Sequence, residues 1–306
     1  MRIVFFGTPE FAVPSLRALI EEGFDVAAVV TQPDRPHGRS RSQLVPPPVK
    51  VVALEEGLPV LQPERPIGPF ADELRAFNAD LGVVVAYGHI LKPEVLAIPR
   101  LGMLNVHASL LPKLRGAAPI QWAILNGEET TGISIMQMEA GLDSGPVLHR
   151  IETEVAADET AGELTERLAE LGAEALIEAL MLVQAGASKP DAQNDAEATF
   201  APKVSRALAR LDWSRDAATL ARAVRAFDPE PGAWATLGDQ EVKLFGGRAV
   251  NAGGEAGTVL SAGETLQIAS LVGAVEVAEV QPAGKKRMPV GAWTRGRGVE
   301  VGQRFT

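Results

Sequence analysis

Arg2-Ile3-Val4-Phe5-Phe6-Gly7-Thr8-Pro9 is a short apolar run cut off by a turn. Over residues 14–22, Leu16, Leu19 and Ile20 fall at helical spacing, and Gly23 stands where a helix ends. A second apolar run covers 26–30. Strand, turn, helix and strand in this order predict the start of a parallel sheet with helices on its faces. The turn lacks the G-x-G-x-x-G spacing, so a dinucleotide site has no support.

Outward from this unit, residues 81–86, 103–107 and 133–138 are further apolar runs of strand length. Runs apolar on both faces suit central parallel strands. Thr160-Ala161-Gly162-Glu163 has the form of a capping box, with Leu164, Leu168, Leu171 and Leu176 on one side of a helix of about 25 residues. Gly186 reads as its stop. Residues 188–205 are small and polar without periodicity and read as a linker. Beyond a helix near 217–227, short strands separated by glycines are expected at 233–237, 241–245, 257–260, 265–268 and 274–281. They predict a small β-barrel or sandwich.

Composition narrows the function. The 306 residues are 46% hydrophobic and 22% charged, an ordinary globular mixture long enough for two domains. With no cysteine, disulfides, thiolate metal sites and a cysteine nucleophile are excluded. No apolar run approaches the roughly 18 residues of a membrane span, and the first one breaks too early for a signal-peptide core. A cytoplasmic protein with no membrane partner is expected. The net charge of −10 argues at first against a nucleic-acid partner. Residues 151–200, however, hold twelve acids and two bases, the whole of that charge. Two segments are basic: 31–50, with Arg35, Arg39, Arg41 and Lys50 against Asp34, and 281–306, with Lys285, Lys286, Arg287, Arg295, Arg297 and Arg304 against Glu300. Such clusters suit phosphate contacts, although a solvated face is the ordinary explanation of either alone.

The chemistry concentrates in Asn105-Val106-His107-Ala108-Ser109-Leu110-Leu111-Pro112. Asn105 and His107 are two apart at a strand end, so both face one side, and functional sites of open α/β sheets lie at the carboxyl ends of strands. An amide donor beside an imidazole can stabilise an oxyanion while a proton is handled. Downstream, Gly141-Leu142-Asp143-Ser144-Gly145 places a carboxylate in a glycine-flanked loop after another strand. If the two strands are neighbours, Asp143 reaches His107, fixes its tautomer and raises its pKa. Taken singly, these residues also fit strand-end polarity and turn chemistry.

These two motifs together resemble the signature of the formyltransferase family that uses a formylated tetrahydrofolate. The likeness continues, in order, through Phe6-Gly7-Thr8-Pro9-Glu10-Phe11, Thr31-Gln32-Pro33-Asp34-Arg35-Pro36, Val84-Val85-Ala86-Tyr87-Gly88, Arg115-Gly116-Ala117-Ala118-Pro119-Ile120-Gln121 and Gln281-Pro282-Ala283-Gly284-Lys285-Lys286. It covers essentially the whole chain and is similar to the methionyl-tRNA branch of that family. The resemblance implies formyl transfer from formyl-tetrahydrofolate to the α-amino group of methionine on initiator tRNA. No metal is implied.

Asn105, His107 and Asp143 would be catalytic, and which of the last two takes the proton stays open. Ser109, Leu110, Leu111 and Pro112, with Tyr87, Gly88 and Ile90, would line the folate pocket. Arg39, Arg41, Lys285 and Lys286 would contact tRNA. The implied architecture is a Rossmann-like catalytic domain over 1–187, the linker 188–205, and a tRNA-binding, OB-like β-barrel over 206–306, acting as a monomer. A formyltransferase acting on a small amine, a folate-dependent hydrolase, and a non-catalytic tRNA-binding module are the alternatives; the first shares all three polar residues. The acidic block is expected to face solvent, away from the tRNA.

Overall fold

The computed structural model describes residues 1–37 and 43–306. The opening run is the strand Arg2–Gly7, followed by the helix Val13–Glu21 and the strand Asp25–Val30, as the apolar pattern predicts. These strands belong to a seven-stranded sheet in the order Val60–Leu61, Asp25–Val30, Arg2–Gly7, Leu81–Val85, Met103–His107, Thr130–Gln137, Val147–Glu154. The first five are parallel to one another. Thr130–Gln137 is antiparallel to Met103–His107, so the sheet is mixed. This corrects the expectation that all three long apolar runs are parallel strands. Burial on both faces produces a continuous apolar run in either direction, so the pattern does not encode orientation.

The chain divides into two compact units. The first comprises 1–116, 131–153 and 165–200; the second comprises 117–130, 154–164 and 201–306. The first holds most of the sheet, with an apolar layer that includes Val4, Phe6, Phe70, Leu74, Tyr87 and Met103. The helix Ala161–Gln184 begins in the second unit and continues into the first. Its capping box is formed: Thr160 N–H donates to Glu163 Oε2 at 2.9 Å, and Glu163 N–H to Thr160 Oγ1 at 3.2 Å. Leu164, Leu168, Leu176 and Leu180 are buried, while Glu163, Glu166, Glu170, Glu174 and Glu178 are exposed. Five of the twelve acids of the acidic block thus lie on a solvated helix face. Among the described residues, no helix is long and apolar enough to cross a membrane.

The second unit contains two four-stranded sheets of antiparallel pairs and the helix Ala217–Ala226, capped by Asp216 through Thr219 N–H. The run 274–281, expected as one strand, is two: Ala274–Val277 and Glu279–Pro282 lie in different sheets. At the break, Ala278 N–H donates to Phe245 O and Ala278 O accepts from Val290 N–H. The two sheets share one core, including Trp213, Leu220, Phe227, Leu244, Ile268 and Phe305. They are separate sheets, not one continuous closed barrel.

Candidate active site

The strand Met103–His107 carries Asn105 half-buried and His107 buried, on the face that period-two alternation gives them. The Asn105 carboxamide has no hydrogen-bond partner among the described residues. His107 Nε2 lies 3.1 Å from the Leu114 carbonyl. A carbonyl only accepts, so Nε2 carries the proton and Nδ1 presents a lone pair in the neutral ring. That lone pair faces Asp143, whose Oδ2 stands 3.8 Å from Nδ1, beyond direct hydrogen-bond distance. Oδ2 accepts the Gly116 N–H at 2.9 Å.

Burial pushes the His107 pKa below its ordinary value, outweighing the opposing pull of the Asp143 carboxylate and the Leu114 carbonyl. Two details of the sequence reading are corrected here. The Leu114 carbonyl, not Asp143, sets the tautomer, and the net pKa shift is downward because the ring is almost fully desolvated.

Asp143 reaches this position by a fold-back. Gln137, at the end of its strand, pairs with Leu104, three residues or about 10 Å along the neighbouring strand from His107. The loop must return over that distance to deliver the carboxylate. Asp143 takes a left-handed conformation, φ 47°, within it. The loop also closes tightly: a Cβ on Gly145 would collide with the Gln137 carbonyl, so only glycine fits there.

The segment after His107 is tied down internally. Ser109 Oγ donates to Lys113 O at 2.6 Å, and Ser109 O accepts from Ser134 Oγ at 2.7 Å. Ser134 Oγ in turn accepts the Leu111 N–H at 3.0 Å. Leu111 packs with Met136 and Val147, whereas Leu110 and Pro112 are only partly covered.

The Tyr87 loop follows the strand Leu81–Val85. Tyr87 is buried edge-on against Phe6, with ring centroids 5.4 Å apart, and burial pushes its hydroxyl up to about 12. Its carbonyl accepts from Thr8 Oγ1 at 3.0 Å and Gln32 Nε2 at 3.1 Å, which joins three of the sequence motifs. Gly88 has φ 85°, and a side chain there would strike the Gln32 amide. Ile90 is 92% exposed, a large apolar side chain left in solvent.

The basic segments divide. Arg39 and Arg41 lie outside the described residues. Lys50 is bound to both Asp34 oxygens at 2.8 Å and to Gln62 at 2.7 Å. Near the other end, Arg287 grips the buried Asp228 at 2.6 and 3.1 Å and also Glu279, while Arg295 and Arg304 pair with Glu264 and Glu255. Lys285 and Lys286 are exposed and have no ion pair among the described residues. Only part of the counted C-terminal charge is thus available to a ligand.

Sequence reasoning missed the residues that hold the site together. Gln193 Nε2 donates to the Asp143 carbonyl at 2.8 Å and the Gly145 carbonyl at 2.7 Å. Gln193 Oε1 accepts from Arg115 Nε at 3.0 Å, and Arg115 Nη2 meets Asp195 at 2.8 Å. Leu114 N–H donates to Thr199 Oγ1, and Arg115 N–H to Thr199 O, both at 2.9 Å. Gln193, Asp195 and Thr199 fall in the stretch read as linker, and its polar, aperiodic composition gives no sign of this role. The residues up to Phe200 are bonded into the first unit, and the change of unit comes at Phe200/Ala201.

The family described as formyl transferase matches residues 1–180, and its C-terminal domain matches 203–298. A methionyl-tRNA formyltransferase from Citrifermentans bemidjiense is 47% identical over 304 residues, covering 99% of this chain and 95% of that protein. One from Halorhodospira halophila is 48% identical over 305 residues, covering 99% and 98%. Among solved structures, HypX from Aquifex aeolicus in complex with tetrahydrofolic acid aligns with a TM-score of 0.67 at 24% identity. That alignment covers 97% of this chain and 47% of HypX, so the chain spans about half of that protein. A methionyl-tRNA formyltransferase structure from Clostridium thermocellum aligns with a TM-score of 0.59 at 16% identity, covering 81% and 92%. Both structural likenesses concern the fold.

Proposed function

The chain belongs to the formyl transferase family, and from that premise we propose that it moves the formyl group of formyl-tetrahydrofolate to the α-amino group of methionine on initiator tRNA. The observation that carries this reading is the pair of acceptors, His107 Nδ1 and Asp143 Oδ2, 3.8 Å apart, with Asn105 on the same strand face as His107 and without a side-chain partner among the described residues. The amine attacks the formyl carbon, loses a proton and leaves negative charge on the formyl oxygen; collapse of this intermediate breaks the bond to the tetrahydrofolate nitrogen, which takes up a proton as it leaves. Asn105 offers N–H donors to that oxygen, and the donors gain strength as charge develops. The neutral His107 and the Asp143 carboxylate offer two acceptors to the amine N–H. An α-amino group has a pKa of about 8 in model peptides, so a modest shift supplies the free amine.

The site suits the folate donor. Ile90 leaves an apolar side chain uncovered in a loop at the carboxyl end of a sheet strand, where a flat pterin ring can be covered. Tyr87, Gly88 and Ile90 form one wall in this reading. Ser109, Leu110, Leu111 and Pro112 form the other, mainly through backbone groups and the partly covered Leu110 and Pro112, because the Ser109 hydroxyl is already committed.

Arg39, Arg41, Lys285 and Lys286 are assigned to the tRNA. Residues 1–187, extended by the stretch up to Phe200 that is bonded into the same unit, would be the catalytic domain and 206–306 the tRNA-binding domain. An OB-like arrangement of the C-terminal unit, its two sheets packed on one core without closing into a continuous barrel, belongs to the same reading. The enzyme would work as a monomer in the cytoplasm.

The test is incubation with formyl-tetrahydrofolate and methionyl-tRNA, comparing initiator and elongator tRNA, with an amino-sugar nucleotide as a small-amine control. Formylation of the initiator species is expected. Transfer to the small amine without transfer to methionyl-tRNA would overturn the proposal.

A further inference from the structure

We propose that Gln193 is a positioning residue for catalysis, and that residues 191–199 are a working part of the active site. This rests on the proposed catalytic role of Asp143. The Gln193 amide reaches the backbone on both sides of the catalytic loop: Nε2 donates to the Asp143 carbonyl at 2.8 Å and to the Gly145 carbonyl at 2.7 Å. Its oxygen accepts from Arg115 Nε at 3.0 Å. These partners permit only one orientation of the amide. Turned over, its oxygen would face two carbonyls and its NH2 a guanidinium. The Gln193 side chain therefore measures the distance between the Asp143 loop and Arg115.

The same stretch fixes the other side of the site. Thr199 Oγ1 accepts the Leu114 N–H at 2.9 Å, and the Leu114 carbonyl accepts from His107 Nε2 at 3.1 Å. Asp191 exchanges backbone hydrogen bonds with Val147 at 2.8 and 2.9 Å, anchoring the exit of the catalytic loop. Arg115 is 6% exposed, and Asp195 supplies its carboxylate partner at 2.8 Å. One segment thus sets the position of Asp143 and of the Leu114 carbonyl that fixes the His107 tautomer. Asp143 sits in the left-handed region, and the Gln193 bonds hold its carbonyl in that conformation.

The test is Gln193→Leu, which keeps the bulk and removes every polar contact, with the isosteric Gln193→Glu as a second variant. Gln193→Glu keeps an acceptor for Arg115 but turns an oxygen toward the two carbonyls. Each is expected to lower kcat for formyl transfer by about 10- to 100-fold, the cost of displacing a catalytic group by roughly an ångström. KM for both substrates is expected to stay within about 2-fold, the pattern of an interaction used in the transition state. Folding is followed by thermal melting, and rates are taken per folded molecule.

In an Asp143→Ala background, Gln193→Leu should cost less than about 2-fold more, because residues acting through one another are not additive. A full-size further loss in that background, or kcat within about 3-fold of wild type for both single variants, overturns the proposal. If Asp143→Ala itself keeps the wild-type rate, the catalytic role of Asp143 fails and this inference fails with it. If Asp143→Ala is inactive and the Gln193 variants are not, only this inference falls.

Discussion

His107 Nε2 donates to the carbonyl of Leu114, seven residues downstream, at 3.1 Å, and this bond organises the site. It uses the ring proton on the side away from Asp143. The nitrogen that faces the carboxylate is left as an acceptor. In the more familiar arrangement, a carboxylate accepts the ring N–H and leaves the other nitrogen to the substrate. Here imidazole and carboxylate stand as two separate acceptors, so neither needs to relay a proton through the other.

The neutral state of His107 has a measurable consequence for stability. The unfolded imidazole titrates near its ordinary value, about 6.5, and the folded one lower because the ring is buried. Between those values the unfolded chain binds more protons. The contribution is therefore fully present above about pH 6.5 and is lost as pH falls through that window. Replacing His107 with Gln removes the titration but leaves every other group. Melting temperatures between pH 7.5 and 5 should fall more steeply in wild type than in His107→Gln, and parallel slopes would exclude a buried neutral imidazole.

Asp143→Asn separates charge from shape. The amide oxygen of Asn can still accept the Gly116 N–H, held at 2.9 Å by the native carboxylate, so the loop should keep its place. In the proposed mechanism the lost negative charge removes the stronger of the two acceptors offered to the amine. A kcat decrease of at least roughly 10²-fold is expected, with a melting temperature close to wild type. Full activity in this variant would show that Asp143 acts through the backbone contact alone.

The proposed site residues Asn105 and His107 and most of the sheet were legible because their signals are local. The period of two put Asn105 and His107 on one face, and the capping box at Thr160 and Glu163 located the long helix. Two kinds of information were not local. The direction of Thr130–Gln137 depends on its connection, and a run buried on both faces reads alike either way. The role of Gln193 depends on contacts to Arg115 and Asp143 far along the chain, and a polar segment with no core-facing period gives no hint of them. The C-terminal charge count failed for the same reason, since Asp228 is distant in sequence from the Arg287 that it neutralises.

Ile90 offers a clean test of the folate wall. At 92% exposure it contributes little to the folded state, so Ile90→Ser should leave the melting temperature within a degree or two of wild type. If a pterin ring covers it, roughly 1–2 kcal/mol of apolar burial is lost. KM for formyl-tetrahydrofolate should then rise about 5- to 30-fold while KM for methionyl-tRNA stays unchanged. An unchanged folate KM would place the pterin elsewhere.

The basic residues near the C-terminus should separate into two kinds on mutation. Lys285 and Lys286 are exposed and free of ion pairs among the described residues, whereas Arg287 is held by Asp228, 5% exposed, and by Glu279. Changing Lys285 and Lys286 together to alanine should weaken tRNA binding at low salt and flatten the dependence of affinity on salt, because fewer counterions are released. Stability should not change, since exposed lysines contribute little to it. Removing Asp228 leaves Arg287 with Glu279 alone, and losing an ion pair of which only the carboxylate is buried costs about 1–2 kcal/mol. Asp228→Ala should therefore lower the melting temperature by several degrees and leave the salt slope for tRNA as it was. An Asp228→Ala variant that melts normally but alters the slope would mean that Arg287 belongs to the tRNA surface and that its ion pair is incidental.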